Sequence, residues 1–189
     1  MVAINTIICG DCVILDLCAG SGAWSQPYLD AGYDVRRIDI LTGDDVRLYR
    51  PPARVYGVLA APPCTHLAGS GARWWRGKGQ SVLLDALGVV DACLRIVLMS
   101  QPRFWCLENP VGRLSRFLGK PRMTFNPCDY GDPWTKRTCL WGEFNPPLKH
   151  PVEPEPRSRI WMMSPGPERS AKRSITPPGF ARAFYEANR

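Results

Sequence analysis

Short segments, most of them apolar, recur along the chain, and each ends near a glycine, a proline or an acidic residue. Runs of this length with such boundaries are typical of strands buried in a sheet. The pattern predicts five of them: Val13–Leu17, Tyr33–Ile38, Val55–Ala60, Phe104–Leu107 and Arg137–Trp141.

The segments between these runs predict helices and one long loop. Ala23–Ala31 and Ser81–Met99 carry apolar residues at helical spacing. Pro177–Asn188 predicts a closing helix with Thr176 as its N-cap. Thr65–Gln80 is rich in Gly, Arg and Trp and therefore predicts a long loop.

Strands that alternate with helices predict an α/β fold, in which a mostly parallel sheet is covered by helices on both faces. The 189 residues fit one domain, 1–189, with a loop-rich C-terminal part because the prolines concentrate there. Residues 142–172, and Asn145–Pro167 above all, form a proline-rich segment that we expect to be irregular. In open α/β sheets ligands bind beyond the carboxyl ends of the strands, so functional residues are sought there.

The first two strand ends predict a site for a nucleoside. Asp16–Gly22 follows the first strand, and its glycines let the backbone turn sharply and approach a ligand. Asp39 ends the second strand, where a carboxylate can accept hydrogen bonds from both ribose hydroxyls. Asp45 and Val46 offer an acceptor for an adenine amino group and an apolar side for its ring. By itself this pattern suits a nicotinamide or flavin enzyme equally well.

The later strand ends carry reactive side chains. Cys64 comes directly after Pro62–Pro63, which stiffen the chain and place the thiol for nucleophilic attack. Glu108–Pro110 ends the fourth strand, and a carboxyl there can recognise the edge of a base and exchange a proton.

The net charge of +7 favours a polyanionic partner. Ser70–Lys78 is basic, aromatic and hinged by glycines, which predicts contacts to phosphates and to an emptied base stack. We expect Trp74 or Trp75 to pack back onto the core. The candidate nucleic-acid-binding residues are Arg73, Trp74, Arg76 and Lys78. A second basic cluster is either a phosphate-tracking surface or a solvated helix face: Arg113, Arg116, Lys120 and Arg122.

These motifs, in this order, resemble those of the cytosine-C5 DNA methyltransferase family over residues 11–188. Asp16–Gly22 is similar to the family's Asp-Leu-Phe-Ala-Gly-x-Gly-Gly, with Cys18 in place of the aromatic residue and Ala23 in place of the last glycine. Pro63–Cys64 resembles the nucleophile motif. Glu108–Asn109 resembles the Glu-Asn motif, with proline in place of the usual valine.

Two later segments extend the resemblance. Thr135–Cys139 resembles the family's Gln-x-Arg-x-Arg motif, with Arg137 on the first arginine and Cys139 on the second. Arg173–Ile175 resembles the late Asn-Ser-Val motif, which closes over the cofactor.

The resemblance implies a Rossmann-like class I fold that binds S-adenosylmethionine and methylates C5 of cytosine in DNA. Cys64 would attack C6 of a cytosine flipped out of the duplex, and Glu108 would hydrogen-bond its N3 and amino edge. Arg137 would bind near the base carbonyl or a phosphate, and Lys136 would contact the nucleic acid. The implied cofactor-binding residues are Asp16, Leu17, Cys18, Ala19, Gly20, Gly22, Asp39, Ile40, Asp45, Val46, Pro63, Ser174 and Ile175.

The segment in the place of the family's large target-recognition region is short. Only Leu140–Lys172 separates the two late motifs, so we expect low or very short sequence specificity. Small members with relaxed specificity occur among phage-encoded enzymes, which makes a phage or prophage origin an expectation.

Other functions remain open from the sequence. A related methyltransferase could act on RNA or on free cytosine nucleotides, although the basic loop disfavours free nucleotides. A catalytically silent DNA-binding homologue is disfavoured by the intact Cys64 and Glu108. An amino-directed methyltransferase would need an Asn/Asp-Pro-Pro-aromatic motif at Ala61–Cys64, where this chain has Ala and Cys at the two ends.

The eight cysteines lie in unlike settings and do not suggest a disulfide framework. Cys9 and Cys12 form a CxxC without a second pair, so we expect no structural zinc and no other metal. The chain shows no signal peptide and no apolar run that could span a membrane. We therefore expect a cytoplasmic protein, in the host cytoplasm if it is phage-encoded, and the oligomeric state stays open.

Overall fold

A computed structural model describes residues 13–156 and 169–189. The CxxC pair of Cys9 and Cys12 lies outside the described residues. In the described part of the chain, six strands form one sheet: β1 (Val13–Leu17), β2 (Asp34–Ile38), β3 (Gly57–Ala60), β4 (Phe104–Pro110), β5 (Met123–Phe125) and β6 (Thr138–Glu143).

The helices lie between the strands and after them. They are α1 (Gln26–Asp30), α2 (Trp75–Lys78), α3 (Ser81–Ser100), α4 (Ser115–Leu118), α5 (Arg169–Ser174) and α6 (Pro178–Ala187). Single 3₁₀ helices span Ile40–Thr42, Gly69–Trp74 and Pro127–Tyr130. No helix of residues 13–156 and 169–189 is long and apolar enough to cross a membrane.

The strand order is β2-β1-β3-β4-β6-β5. The first four strands in this order are parallel, and β6 is antiparallel to both of its neighbours. Only β6 therefore runs against the other described strands, which confirms the predicted mostly parallel sheet. The register aligns Ile38, Leu17, Ala60 and Leu107 across the sheet. The residues that follow them meet at one edge.

Helices cover both faces of the sheet, as predicted. On β1, Leu15 packs in one core cluster and Ile14 in the other, because successive side chains point to opposite faces. Burial on both faces explains the continuous apolar run of β1. The long helix α3 contributes Ile96 to the first cluster, and α6 contributes Phe180 and Phe184 to the second.

The helix predicted at Ala23–Ala31 is shortened to α1, Gln26–Asp30, and four further sequence-based boundaries are wrong. Glu108–Pro110 lies inside β4 instead of ending it, because β6 continues to pair with that segment. The predicted loop 65–80 contains α2 and a 3₁₀ helix. The closing helix starts at Pro178, with Pro177 and not Thr176 at its N-cap.

The fourth boundary concerns the segment predicted to be irregular. Strand β6 extends to Glu143, and α5 begins at Arg169, so both ends of 142–172 are regular. Residues 144–156 are irregular as predicted, and 157–168 lie outside the described residues.

Candidate active site

Asp39 joins the ends of β1 and β2. Its carboxylate accepts one hydrogen bond from Gly20 N at 2.7 Å and another from Leu41 N at 2.8 Å. The Cys18 amide donates to Ile38 O at 2.8 Å, which ties the same turn to the end of β2. The turn and the acid that the sequence singled out therefore form one fixed unit.

The backbone of this turn explains its glycines. Gly22 has φ of 70°, and a Cβ at this position would collide with the guanidinium group of Arg37. Gly20 has φ of 53°, but a Cβ there would enter open space. The positive φ is what favours glycine at position 22, because the flexible Arg37 side chain could move aside, whereas Gly20 leaves open space at the mouth of the sheet. Cys18 also has a positive φ, 58°, which is costly for a residue with a side chain.

The apolar surface beside Asp39 comes from Ile40 and Leu41, which are 65% and 86% exposed. Val46 instead lies in the core at 5% exposure. The Asp45 carboxylate is paired with Arg47 at 2.6 Å. The structure thus places Ile40 at the predicted cofactor edge. Asp45 is instead paired with Arg47, and Val46 is buried in the core.

Asp16 is a carboxyl buried at the end of β1, 1% exposed. Burial raises its pKa from 3.8 to about 6, against hydrogen bonds from Ser25 and the charge of Arg37, which lower it. The folded state therefore binds this proton more tightly than the unfolded state. This contribution to stability is complete below about pH 4 and is lost as the pH rises through 6, a total of about 3 kcal/mol.

Replacing Asp16 with asparagine should remove this pH dependence. The stability of Asp16→Asn relative to the natural protein should rise between pH 4.5 and 7.5, measured by urea unfolding. Asp30→Asn, at an exposed position, is the control and should show a constant difference. A constant difference for Asp16→Asn as well would show that Asp16 titrates normally.

Cys64 opens a loop that is held against β4. Its carbonyl accepts hydrogen bonds from Leu67 N at 2.9 Å and Ala68 N at 2.8 Å, which form a tight turn directly after the half-buried thiol. Ala68 then forms an isolated antiparallel bridge with Gly112. The turn fixes where the thiol stands relative to the end of β4.

Asn109 connects the two loops from inside the protein. It is fully buried, and its Nδ2 donates a hydrogen bond to Pro62 O at 2.9 Å. β3 ends at Ala60, so this side chain takes over the link between β3 and β4 where backbone pairing stops. Sequence reasoning gave Asn109 no role. Its place directly after Glu108 in the motif was the available signal.

Asn109→Ala should destabilise the protein by about 1–3 kcal/mol, because the buried carbonyl of Pro62 loses its partner. Urea unfolding measures this cost. Asn126→Ala is the control, because Asn126 is a half-buried asparagine that caps the 3₁₀ helix Pro127–Tyr130. It measures the loss in free energy of unfolding when an asparagine cap alone is removed. An Asn109→Ala protein as stable as the natural one would mean that this hydrogen bond does not hold the loops together.

Glu108, Cys64 and Lys136 form the reactive cluster. Lys136 Nζ lies 3.9 Å from Glu108 Oε1, and both side chains are 16% exposed. Burial raises the pKa of Glu108, and the charge of Lys136 lowers it. Burial raises the pKa of Cys64, the Glu108 charge raises it further, and Lys136 and then Arg173 lower it. A thiol and a protonatable carboxyl thus face one ammonium group.

The residues of the arginine-like motif point in different directions. Arg137 is exposed, and its carbonyl accepts a hydrogen bond from Val111 N at 3.2 Å. Cys139 is 5% exposed and lies in the core. Lys136, predicted only to contact nucleic acid, is the residue of this motif that the structure brings to Glu108. The proposed contact of Arg137 with a base stays a prediction.

In the loop after Cys64 one tryptophan is exposed and the other is half-buried. Trp74 is 57% exposed, with Arg73 Cζ 4.9 Å from its ring centre. Trp75 is half-buried under Arg113, whose Cζ lies 4.5 Å from its ring. Trp75 therefore packs against Arg113 and belongs to neither core cluster, so the expectation that one of the two tryptophans packs onto the core is not met. Lys78 is half-buried, while Arg76 is exposed.

Arg113 belongs to the scaffold and not to a free basic surface. Its Nε donates to His66 O at 2.8 Å, and its backbone N donates to Leu67 O at 2.9 Å. It therefore braces the Cys64 loop. The rest of the second basic cluster is exposed: Arg116, Lys120 and Arg122.

The late motif, Arg173–Ile175, has two exposed residues and one whose charge acts on Cys64. Ser174 is exposed and bonds back to Ala171 O at 2.7 Å, and Ile175 is 46% exposed. Arg173, directly before them, is close enough to Cys64 for its charge to lower the pKa of that thiol. Helix α5 thus brings this segment to the reactive cluster.

Among the solved structures that are similar to this fold is one from E. coli, described as a candidate DNA modification methyltransferase encoded within a prophage. The TM-score is 0.53 at 18% identity, and the match covers 75% of this chain. The matched part spans about half, 53%, of that protein. No protein-family model and no curated protein matches the chain. The chain shares the fold of that structure.

Proposed function

We propose that the protein transfers a methyl group from S-adenosylmethionine to C5 of cytosine in DNA. The observation that carries the proposal is the cluster of Cys64 after β3, Glu108 within β4 and Lys136 before β6. The strand order and the single antiparallel strand support a Rossmann-like class I methyltransferase fold. The similar structure is named as a DNA modification methyltransferase, which supports methylation of DNA without indicating the atom that is methylated.

The reaction needs a nucleophile and an acid on one base. The Cys64 thiolate adds to C6: the Sγ–C6 bond forms, the C5–C6 double bond opens, and the electron pair of that double bond makes C5 nucleophilic. Glu108 in its neutral form donates a hydrogen bond to N3 and stabilises the charge that develops there. After C5 has taken up the methyl group, solvent removes the C5 proton. The electron pair then re-forms the C5–C6 double bond and expels Cys64 as a thiolate.

The first strand ends suit the cofactor. Each carboxylate oxygen of Asp39 accepts one hydrogen bond in the structure and can accept another, which matches two ribose hydroxyls. Ile40 offers exposed apolar surface for an adenine ring, and Gly20 leaves open space at the turn. When bound there, S-adenosylmethionine supplies an electrophilic methyl group.

The target cytosine is expected to leave the duplex, because C6 cannot be reached inside the base stack. Trp74 with Arg73 against its ring offers a stacking surface and a cation directly beyond the Cys64 loop. Arg76 and Lys78 add positive charge for phosphates. The short segment before α5 supports low or very short sequence specificity.

Methyl transfer to different substrates tests the proposal. The protein is incubated with methyl-labelled S-adenosylmethionine and with duplex DNA, transfer RNA or dCMP, and the labelled nucleoside is identified after digestion. The proposal predicts 5-methylcytosine in duplex DNA, and bisulfite sequencing should show methylation at many short contexts. Label in N4-methylcytosine or N6-methyladenine, or only in RNA or dCMP, would contradict it. A clean site of four or more base pairs would overturn the low specificity alone.

A further inference from the structure

Two acids in the reactive cluster face one cation. Lys136 Nζ lies 3.9 Å from Glu108 Oε1, and its charge also acts on Cys64. Both the Lys136 and the Glu108 side chain are only 16% exposed, so solvent screens their charges less than at a surface.

Asn109, next to Glu108, donates a hydrogen bond from Nδ2 to Pro62 O at 2.9 Å and so holds the Cys64 segment against β4. Charged groups of three elements act on the thiol there. Glu108 comes from β4, Lys136 from the segment before β6, and Arg173 from α5. Burial and the charge of Glu108 oppose ionisation of the thiol, and Lys136 and then Arg173 favour it. A thiolate beside an ionised Glu108 would place two negative charges next to the Lys136 ammonium group, 3.9 Å from Glu108, and Arg173 acts on the thiol more weakly than Lys136 does. The site therefore favours a single negative charge.

We propose that Lys136 is a positioning residue. It stabilises a single negative charge, which lies on Glu108 or on Cys64 according to which of the two groups carries the proton. The Sγ–H bond of Cys64 breaks, and the proton is taken up, by way of solvent, at the carboxylate of Glu108. The products are a thiolate paired with Lys136 and a neutral carboxyl, so protons and charge balance. That state supplies the nucleophile and the acid together. That use of the charge exchange in catalysis rests on the proposed function.

The local backbone explains why Lys136, and not Arg137, faces the cluster. The Thr138 hydroxyl donates to Lys136 O at 2.9 Å, and the Arg137 carbonyl is held by Val111 N. With both peptide groups fixed at the start of β6, the two neighbouring side chains point to different sides. Cys139 at the motif's second arginine position is buried, which leaves Lys136 as the cation of this motif that lies beside Glu108.

The pH dependence of Cys64 alkylation tests this role without DNA or cofactor. The protein is treated with iodoacetamide between pH 6 and 9.5, and the Cys64 peptide is quantified by mass spectrometry. Lys136→Met and Lys136→Gln should slow alkylation of Cys64 by about tenfold at every pH below the midpoint, which is the effect of a rise of about one unit in the pKa of the thiol. Lys136→Arg should restore most of the rate. Glu108→Gln should lower the pKa of the Cys64 thiol and so speed its alkylation. Partial unfolding would not slow alkylation in the Lys136 variants and speed it in Glu108→Gln.

Lys149→Met is the matched control, because Lys149 pairs with Asp129 at 50% exposure. It should leave the alkylation profile unchanged. Profiles of Lys136→Met and Lys136→Gln that coincide with that of the natural protein would overturn the inference. If the natural protein methylates cytosine and no shift is seen, the inference alone fails. If the shift is seen in a protein that methylates no cytosine, the proposed function fails and the charge exchange stands.

Discussion

Cys64→Ala should abolish methyl transfer while leaving the fold intact. Without the Sγ–C6 bond, C5 of cytosine is too weak a nucleophile, and loss of a covalent nucleophile costs about 10⁴-fold or more in rate. The half-buried thiol closes no hydrogen bond on which the loop depends, because the Cys64 turn is made by its backbone carbonyl. Alanine can therefore keep the turn and remove only the chemistry.

The measurement is the incorporation of labelled methyl groups into duplex DNA, with urea unfolding of the same variant. Cys128→Ala is the matched control, since Cys128 is another half-buried free cysteine, in the 3₁₀ helix Pro127–Tyr130. It should retain activity. A Cys64→Ala protein that still transfers methyl groups at more than about one hundredth of the natural rate would show that the reaction does not need a covalent bond to Cys64.

Glu108→Gln should lower the rate of methyl transfer by about 10²- to 10⁴-fold, the usual range for losing a general acid. Glutamine keeps the size of the side chain and can still donate a hydrogen bond, but it cannot exchange a proton. Burial raises the pKa of Glu108, against the charge of Lys136. The neutral, reactive form is present below the folded-state pKa and is lost as the pH rises through it.

The pH profile of the rate distinguishes this role from mere binding. In the natural protein the limb that falls with rising pH should reflect Glu108, and Glu108→Gln should lack it. Glu143→Gln, at an exposed position at the end of β6, should leave both rate and profile unchanged. An unaltered profile in Glu108→Gln would assign the titration to another group.

The strand ends could be predicted because buried parallel strands have a clear local signal. Apolar runs followed by Pro62–Pro63 or by Glu108, and the mixed polar and apolar run before Asp39, placed the reactive residues on one edge before any contact was known. The rule that ligands bind at this edge then selected Cys64 among eight cysteines. Cys106 and Cys139, by contrast, lie buried within strands, and Cys93 lies buried within α3.

Other features depend on contacts between distant segments. Glu108–Pro110 reads locally as a turn, but pairing with β6 keeps it in β4. The inward direction of Lys136 depends on hydrogen bonds from Val111 and Thr138, and no periodicity in the sequence records it. The edge strand β5 has only three residues, too few for an apolar pattern to be read.

The central claim is a covalent bond between Cys64 and the target base, and trapping tests it most directly. Duplex DNA that contains 5-fluorocytosine is incubated with the protein and S-adenosylmethionine, because fluorine at C5 blocks the final elimination. The account predicts a denaturation-resistant protein–DNA complex, attached at Cys64 by peptide mapping, that Cys128→Ala retains and Cys64→Ala loses. An equal yield of complex from Cys64→Ala, or attachment at another residue, would contradict it.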